Sequence, residues 1–194
     1  MGGPLHAKEQ TRNMRLDLHS HPQSPASVVN EFWVAYSWLR KGILHIKYYV
    51  KANIASVSLP QKADPVRADG LWENTCFELF LREQSARNYC EFNFSPSGCW
   101  AAYQFSAYRE DMADLELVEP PHIDFETSDK HIEMEVTLDL SGLAQAFSYE
   151  IAFSAVIADK SGGKSYWALS HPQAKPDFHH EGSFTHQLKA ADSL

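Results

Sequence analysis

The sequence predicts an all-β fold: an antiparallel β-sandwich of immunoglobulin-like or jelly-roll type, with little helix. Three observations carry this. Apolar residues recur at every second position in segment after segment. Clusters of Pro, Gly and Asp separate the segments at short intervals. Helical signal is thin, confined to one or two turns in "DLSGLAQAF" (139–147) and a turn at "SARNY". Eight or nine strands at this spacing make a sandwich.

Residues 1–13 are polar and aperiodic, which predicts a disordered leader, and Met14 would serve equally well as a start. Residues 14–194 read as one β-sandwich domain, long enough to enclose a core. "EFWVAYSWL" (31–39) alternates Phe32, Val34, Tyr36 and Trp38 with smaller or polar residues; Lys41-Gly42 then forms a tight turn into "ILHIKYYV" (43–50). "TCFELFL" (75–81) sets Phe77, Leu79 and Leu81 against Cys76, Glu78 and Phe80. A hairpin follows, 89–95 and 99–108. "HIEMEVTLDL" (131–140) alternates most cleanly, with Ile132, Met134, Val136 and Leu138 inward and Glu133, Glu135 and Thr137 outward. Strands at 149–159, 165–170 and 183–188 complete the set.

Composition narrows the function. The formal charge of −8 argues against a nucleic-acid backbone as partner, which needs a basic face. No apolar run approaches the roughly 18–20 residues of a membrane span, and "MGGPLHAKEQTRNMRLDLHSHP" lacks the apolar centre of a secretory signal. Three cysteines without a CxxC pair support neither a disulfide framework nor a zinc ribbon. A reduced, cytoplasmic protein is expected.

The hairpin "YCEFNFSPSGCW" (89–100) holds the most informative polar pattern. A two-residue Pro96-Ser97 turn sets Asn93 opposite Trp100, Glu91 opposite Ala102 and Tyr89 opposite Gln104. A three-residue loop slips the pairing by one and turns Gln104 and Ser106 toward the core, where unsatisfied polar groups cost about 1–3 kcal/mol each. The two-residue turn is therefore expected. One face then carries Glu91, Asn93, Gln104 and Trp100, with Ala102 leaving room and Glu78 alongside. A flat indole beside planar donors and acceptors suits a sugar ring. The same pattern also fits a solvated sheet face.

A resemblance adds weight to the first reading. "GLWENTCFELFL" followed by "YCEFNFSPSGCWAAYQFSAYRE" resembles the core signature of DOMON-like domains, close to family 9 carbohydrate-binding modules: an acidic W-E-x-x-x-x-E-x-F strand, then a Y-x-E-F-N-x-x-x-x-G-x-W hairpin. "YWALSHPQAKPDFHHEGSF" resembles the end of bacterial stand-alone members, so the likeness spans roughly residues 28–190. It implies a sandwich that binds sugars in some members and haem in others. Family 9 modules clamp a terminal sugar between two tryptophans, for which Trp72, Trp100 and Trp167 are the candidates. Glu78, Glu91 and Asn93 match the acidic strand and the hairpin. Neither a secretory leader nor an attached catalytic domain is expected from these residues, a departure from those modules. A non-catalytic module for a carbohydrate or glycoconjugate follows, with Trp72 or Trp100 stacking on the ring. Glu78, Glu91, Asn93 and Gln104 would fix its hydroxyls, and Arg109 and Trp167 would line the rim.

Rival readings rest on other residues, and no cofactor is required. Haem remains an alternative: DOMON relatives hold it with a Met and a His, although neither Met112 (in a loop) nor Met134 (on a core-facing strand) is diagnostically spaced from a histidine. "DLHSH" (17–21) resembles the opening of metal-dependent hydrolases, but the chain is too short for their barrel. His171, Asp177 and His179 in "SHPQAKPDFHH" are chemically competent metal donors, and calcium on carboxylates is a further alternative. Glu78 and Glu91 would be the minimum pair for glycoside hydrolysis. No Walker loop, dinucleotide fingerprint or nucleophile elbow occurs, and neither Cys76 nor Cys90 has a basic neighbour to activate it. A protein-interaction domain would show an exposed aromatic patch instead.

Overall fold

The computed structural model describes residues 14–24, 28–143 and 148–189. The leader expected at 1–13 and most of the last turn expected within 139–147 lie outside these residues. In chain order the strands are β1 (Met14–Asp17), β2 (His19–Ser20), β3 (Val29–Arg40), β4 (Ile43–Ala52), β5 (Cys76–Glu83), β6 (Tyr89–Phe94) and β7 (Trp100–Phe105). They continue with β8 (Ala113–Asp114), β9 (His122–Thr127), β10 (His131–Asp139), β11 (Ser148–Ala158), β12 (Lys164–Ala168) and β13 (His186–Lys189). Three short 3-10 turns, Ile54–Ser56, Leu71–Glu73 and Glu181–Ser183, are the helical elements among the described residues.

The strands form two antiparallel sheets. A five-stranded sheet runs β1-β3-β4-β10-β9; the larger runs β2-β12-β11-β5-β6-β7-β8, with β13 beside the first half of β11. The core lies between them. Phe32, Val34, Leu44, Ile46, Tyr48 and Val50 meet Phe77, Leu79, Leu81, Phe92, Phe94 and Phe153 there, all essentially inaccessible to water. The expected alternation in β10 is observed: Ile132, Met134, Val136 and Leu138 are fully buried and Glu133, Glu135 and Thr137 face outward. Lys41-Gly42 makes the β3–β4 turn, with Gly42 in the left-handed region (φ 79°) that favours glycine.

The larger sheet is unusual in burying both faces. Its outer face carries a second apolar cluster, in which Phe80, Tyr89, Tyr103 and Phe105 pack beneath Phe178 and Phe184. The segment 171–184 thus folds back over the sheet, which is why residues 76–81 are buried on both sides of β5. Each aromatic buried this way contributes about 1.5–3 kcal/mol, so the covering segment is held by packing rather than by strand pairing. The strand expected at 183–188 is correspondingly shorter: a 3-10 turn precedes β13.

The hairpin register corrects the expectation. Phe94 pairs with Trp100, Asn93 with Ala101, Glu91 with Tyr103 and Cys90 with Gln104. The loop has three residues, Pro96-Ser97-Gly98, closed by Ser95 N–H on Cys99 O at 2.9 Å, with Gly98 at φ 94°. The expected polar penalty is avoided because Gln104 and Ser106 both stay exposed. Gln104 is exposed and donates to the Asp114 carbonyl at 3.3 Å, and Ser106 donates to Asp111 at 2.6 Å.

Candidate functional site

A cleft of about 400 Å³ opens on the outer face of the larger sheet, between the Leu71–Glu73 turn and the covering segment. Period two places its floor. Glu78 of β5 stands opposite Asn93 of β6, and Glu91 lies two residues along β6 on the same face. Both carboxyl groups are deeply buried, at 2% and 5% exposure, yet both line the cleft. Each has one satisfied oxygen. Ser154 Oγ donates to Glu78 Oε2 at 3.0 Å, and Asn93 Nδ2 donates to Glu91 Oε1 at 2.8 Å. Asn93 itself has no exposed surface and acts from behind, with the Cys76 thiol 3.6 Å from its Oδ1.

Burial dominates the electrostatics. It drives the Glu78 carboxyl well above the ordinary carboxylate range, and the charge of Glu91 adds to this against Ser154 and Arg109. Burial likewise pushes Glu91 up to about 7, opposed by the Asn93 amide and the Arg109 charge. Two neighbouring carboxyls in so dry a place cannot both ionise freely.

His179 closes one side of the cleft. The Tyr89 hydroxyl accepts the Arg109 backbone N–H at 3.2 Å and lies 2.8 Å from His179 Nδ1. The other ring nitrogen, Nε2, faces Glu91 Oε2 at 3.7 Å. Burial, and then the nearby Arg109 charge, hold the imidazole down to about 4. The ring is therefore neutral near pH 7, and its approach to Glu91 is a dipolar contact, not an ion pair. Arg109 adopts a left-handed backbone (φ 55°), a conformation costing about 1 kcal/mol or more for a residue with a side chain. Its guanidinium reaches Asp177 at 3.0 Å, and Asp177 also accepts from Tyr108 at 2.5 Å and from the His179 N–H at 3.1 Å. This knot ties the covering segment to the β7–β8 turn.

Trp72 forms the opposite wall. It is 38% exposed and meets Tyr103 edge-on, with ring centres 5.9 Å apart. Tyr103 in turn donates to Asp69 at 2.7 Å, which holds the segment in place.

The structure therefore gathers Trp72, Glu78, Glu91 and Arg109 into one cleft, with Asn93 supporting them. Three expected site residues go elsewhere. Trp100 points into the inter-sheet core, 7% exposed, with the Arg67 guanidinium 4.8 Å above its ring; the one-residue slip in register reversed its side. Trp167 is in the same core against Phe32, its indole N–H donating to Ser165 Oγ at 3.0 Å. Gln104 lies on the opposite side from Glu91. His171, Asp177 and His179 do not converge as metal donors: His171 bonds the His19 carbonyl, and the other two join the networks above. Among the described residues no group of three or more His, Cys, Asp or Glu could hold a metal ion. Met134 is core filling, whereas Met112 sits at the cleft. Sequence reasoning missed Phe105, Tyr166 and Phe178 as cleft walls and Lys164 as a cation beside Arg109. Only "FHH" beside two prolines hinted that the covering segment was more than a loop.

No family model matches the chain, and no curated protein sequence matches it. Solved structures do. A protein from Bacteroides uniformis ATCC 8492, provisionally described as carbohydrate-binding, superposes with a TM-score of 0.67 at 14% identity, over 92% of this chain and 86% of that one. A family 9 carbohydrate-binding module from Caldicellulosiruptor kristjanssonii in complex with cellotriose gives 0.56 at 11% identity, over 97% and 89%. A family 9 module from the same organism in complex with glucose gives 0.51 at 12% identity, over 100% and 95%. The chain has the family 9 carbohydrate-binding module fold. At this identity the likeness is one of fold, and the cleft residues carry the chemistry of this family 9-like sandwich.

Proposed function

We propose that the chain is a non-catalytic binding module that holds a carbohydrate or glycoconjugate in this cleft. The observation that carries the reading is the pairing of a partly exposed indole, Trp72, with two buried carboxyl groups across about 400 Å³, on the fold of family 9 modules. That volume falls within the ~300–1,000 Å³ of small-ligand clefts. An indole surface packs against the C–H face of a sugar, while a carboxyl near its titration midpoint both donates to and accepts from hydroxyls. Hydrolysis is less well served. A glycosidase flanks the scissile bond with one ionised and one protonated carboxyl, whereas Glu78 and Glu91 rise side by side from adjacent strands and burial raises both.

A single ring held this way binds in roughly the micromolar to millimolar range, because few atoms are buried. The test is a thermal-shift screen against a broad sugar panel, with haem and calcium included, on the native chain and Trp72→Ala. Stabilisation by one sugar class that disappears in a normally melting Trp72→Ala supports the reading. A response to haem or calcium with none to any sugar sinks it.

A further inference from the structure

The geometry points to a ligand with a free ammonium group: we propose that the cleft selects a 2-amino-2-deoxyhexose over the corresponding neutral sugar. This rests on the saccharide reading above. Glu78 and Glu91 are 2% and 5% exposed, and among the described residues Glu78 Oε1 and Glu91 Oε2 accept no hydrogen bond. Both side chains line the cleft, so these two oxygens are the acceptors left for a ligand. A hydroxyl would satisfy hydrogen bonding there but supply no charge, so the pair would have to keep its proton. An ammonium brings N–H donors and a full positive charge to both oxygens.

The surroundings agree. Trp72, Phe105, Tyr166 and Phe178 wall the cleft, and aromatic faces attract cations. Resident cations answer the floor only in part: the Arg109 charge lowers both carboxyls, but burial outweighs it. Arg109 is paired with Asp177 at 3.0 Å, and the His179 ring is neutral. The hydroxyls of Tyr89 and Tyr103, raised by burial, stay protonated. The ionisable groups in and around the cleft are then Glu73, Glu78, Glu91 and Asp177 against Arg109 and Lys164, an excess of negative charge once the carboxyls ionise. Uptake of an ammonium ligand lets a floor carboxyl release its O–H proton to buffer while the ligand keeps its own. A neutral sugar releases none.

Isothermal titration of the full chain at pH 6.5 with glucosamine, galactosamine and mannosamine, and with glucose, galactose and mannose, decides it. We expect at least one amino sugar to bind about tenfold more tightly than its parent, the factor given by about 1.4 kcal/mol. Its heat should change between buffers of different ionisation enthalpy, reporting the released proton. In Glu91→Gln the preference should fall to about threefold or less, the residue of a weakened charge pair, and Glu78→Gln provides a second reading if one variant folds poorly. Parents binding as well as their amino derivatives would overturn the ammonium inference and leave the saccharide reading standing. Cyclohexylamine binding as tightly as any amino sugar would overturn the saccharide reading and keep the ammonium. No heat from any of them would overturn both.

Discussion

The Tyr89 hydroxyl and His179 Nδ1 meet at 2.8 Å, joining the first residue of β6 to a segment ninety positions further along the chain. This contact orients the imidazole, whose Nε2 is turned toward Glu91. Tyr89→Phe removes the hydrogen-bond partner of His179 Nδ1 and the acceptor of the Arg109 N–H, leaving two part-buried groups short. We expect a loss of about 1–3 kcal/mol in urea denaturation and weaker ligand binding with it. Unchanged stability would mean that the contact does not hold the covering segment down.

Stability should fall as pH rises through the Glu91 titration. The folded-state value is pushed up to about 7, above the ordinary 4.5, so the folded state holds more protons than the unfolded one between those values. Stability is then fullest below about pH 4.5 and is lost toward pH 7, by about 1.4 kcal/mol for each pH unit crossed. His179 works oppositely between about 4 and 6.5, since its folded value is depressed and the unfolded state binds the proton there. The two slopes overlap, so the difference between Glu91→Gln and the native chain isolates the carboxyl. That difference should be small at pH 4.5 and favour the variant by a few kcal/mol at pH 8. A flat difference would show that Glu91 is not desolvated.

The two tryptophans offered as stacking surfaces by the sequence should behave unlike each other. Trp100→Ala empties a core position and should cost about 3–5 kcal/mol. Trp72→Ala removes a cleft wall and should cost less than about 1 kcal/mol. Chemical denaturation of the pair checks this, and equal losses would contradict the observed register.

Thiol reactivity offers a fourth check. Burial raises the Cys76 thiol well above its ordinary value and Cys90 to about 11, and Cys99 is buried. All three should label slowly with a disulfide reagent in the native protein and rapidly in denaturant. Fast native labelling of Cys90 would place it outside the inter-sheet packing.

Fold class and most of the strands were legible in the residues alone, because period two is a local property: β10 could be read position by position and β5 assigned to its two faces. The same reading brought out Glu78, Glu91 and Asn93, whose polarity breaks an otherwise apolar run. Even the missed β9 carried the signal in Ile123 and Phe125, shortened by the prolines before it. Long-range packing settled what remained. Which side of β7 faces inward depended on whether the turn held two residues or three, and one residue reverses every side chain. Local cost favoured the shorter turn; the longer one prevails because Tyr103 and Phe105 gain burial beneath Phe178 and Phe184, contributed from far along the chain. That same distant cover turns a solvated sheet face into a dry cleft, raises its carboxyls, and makes Trp72 rather than Trp100 the indole available to a ligand.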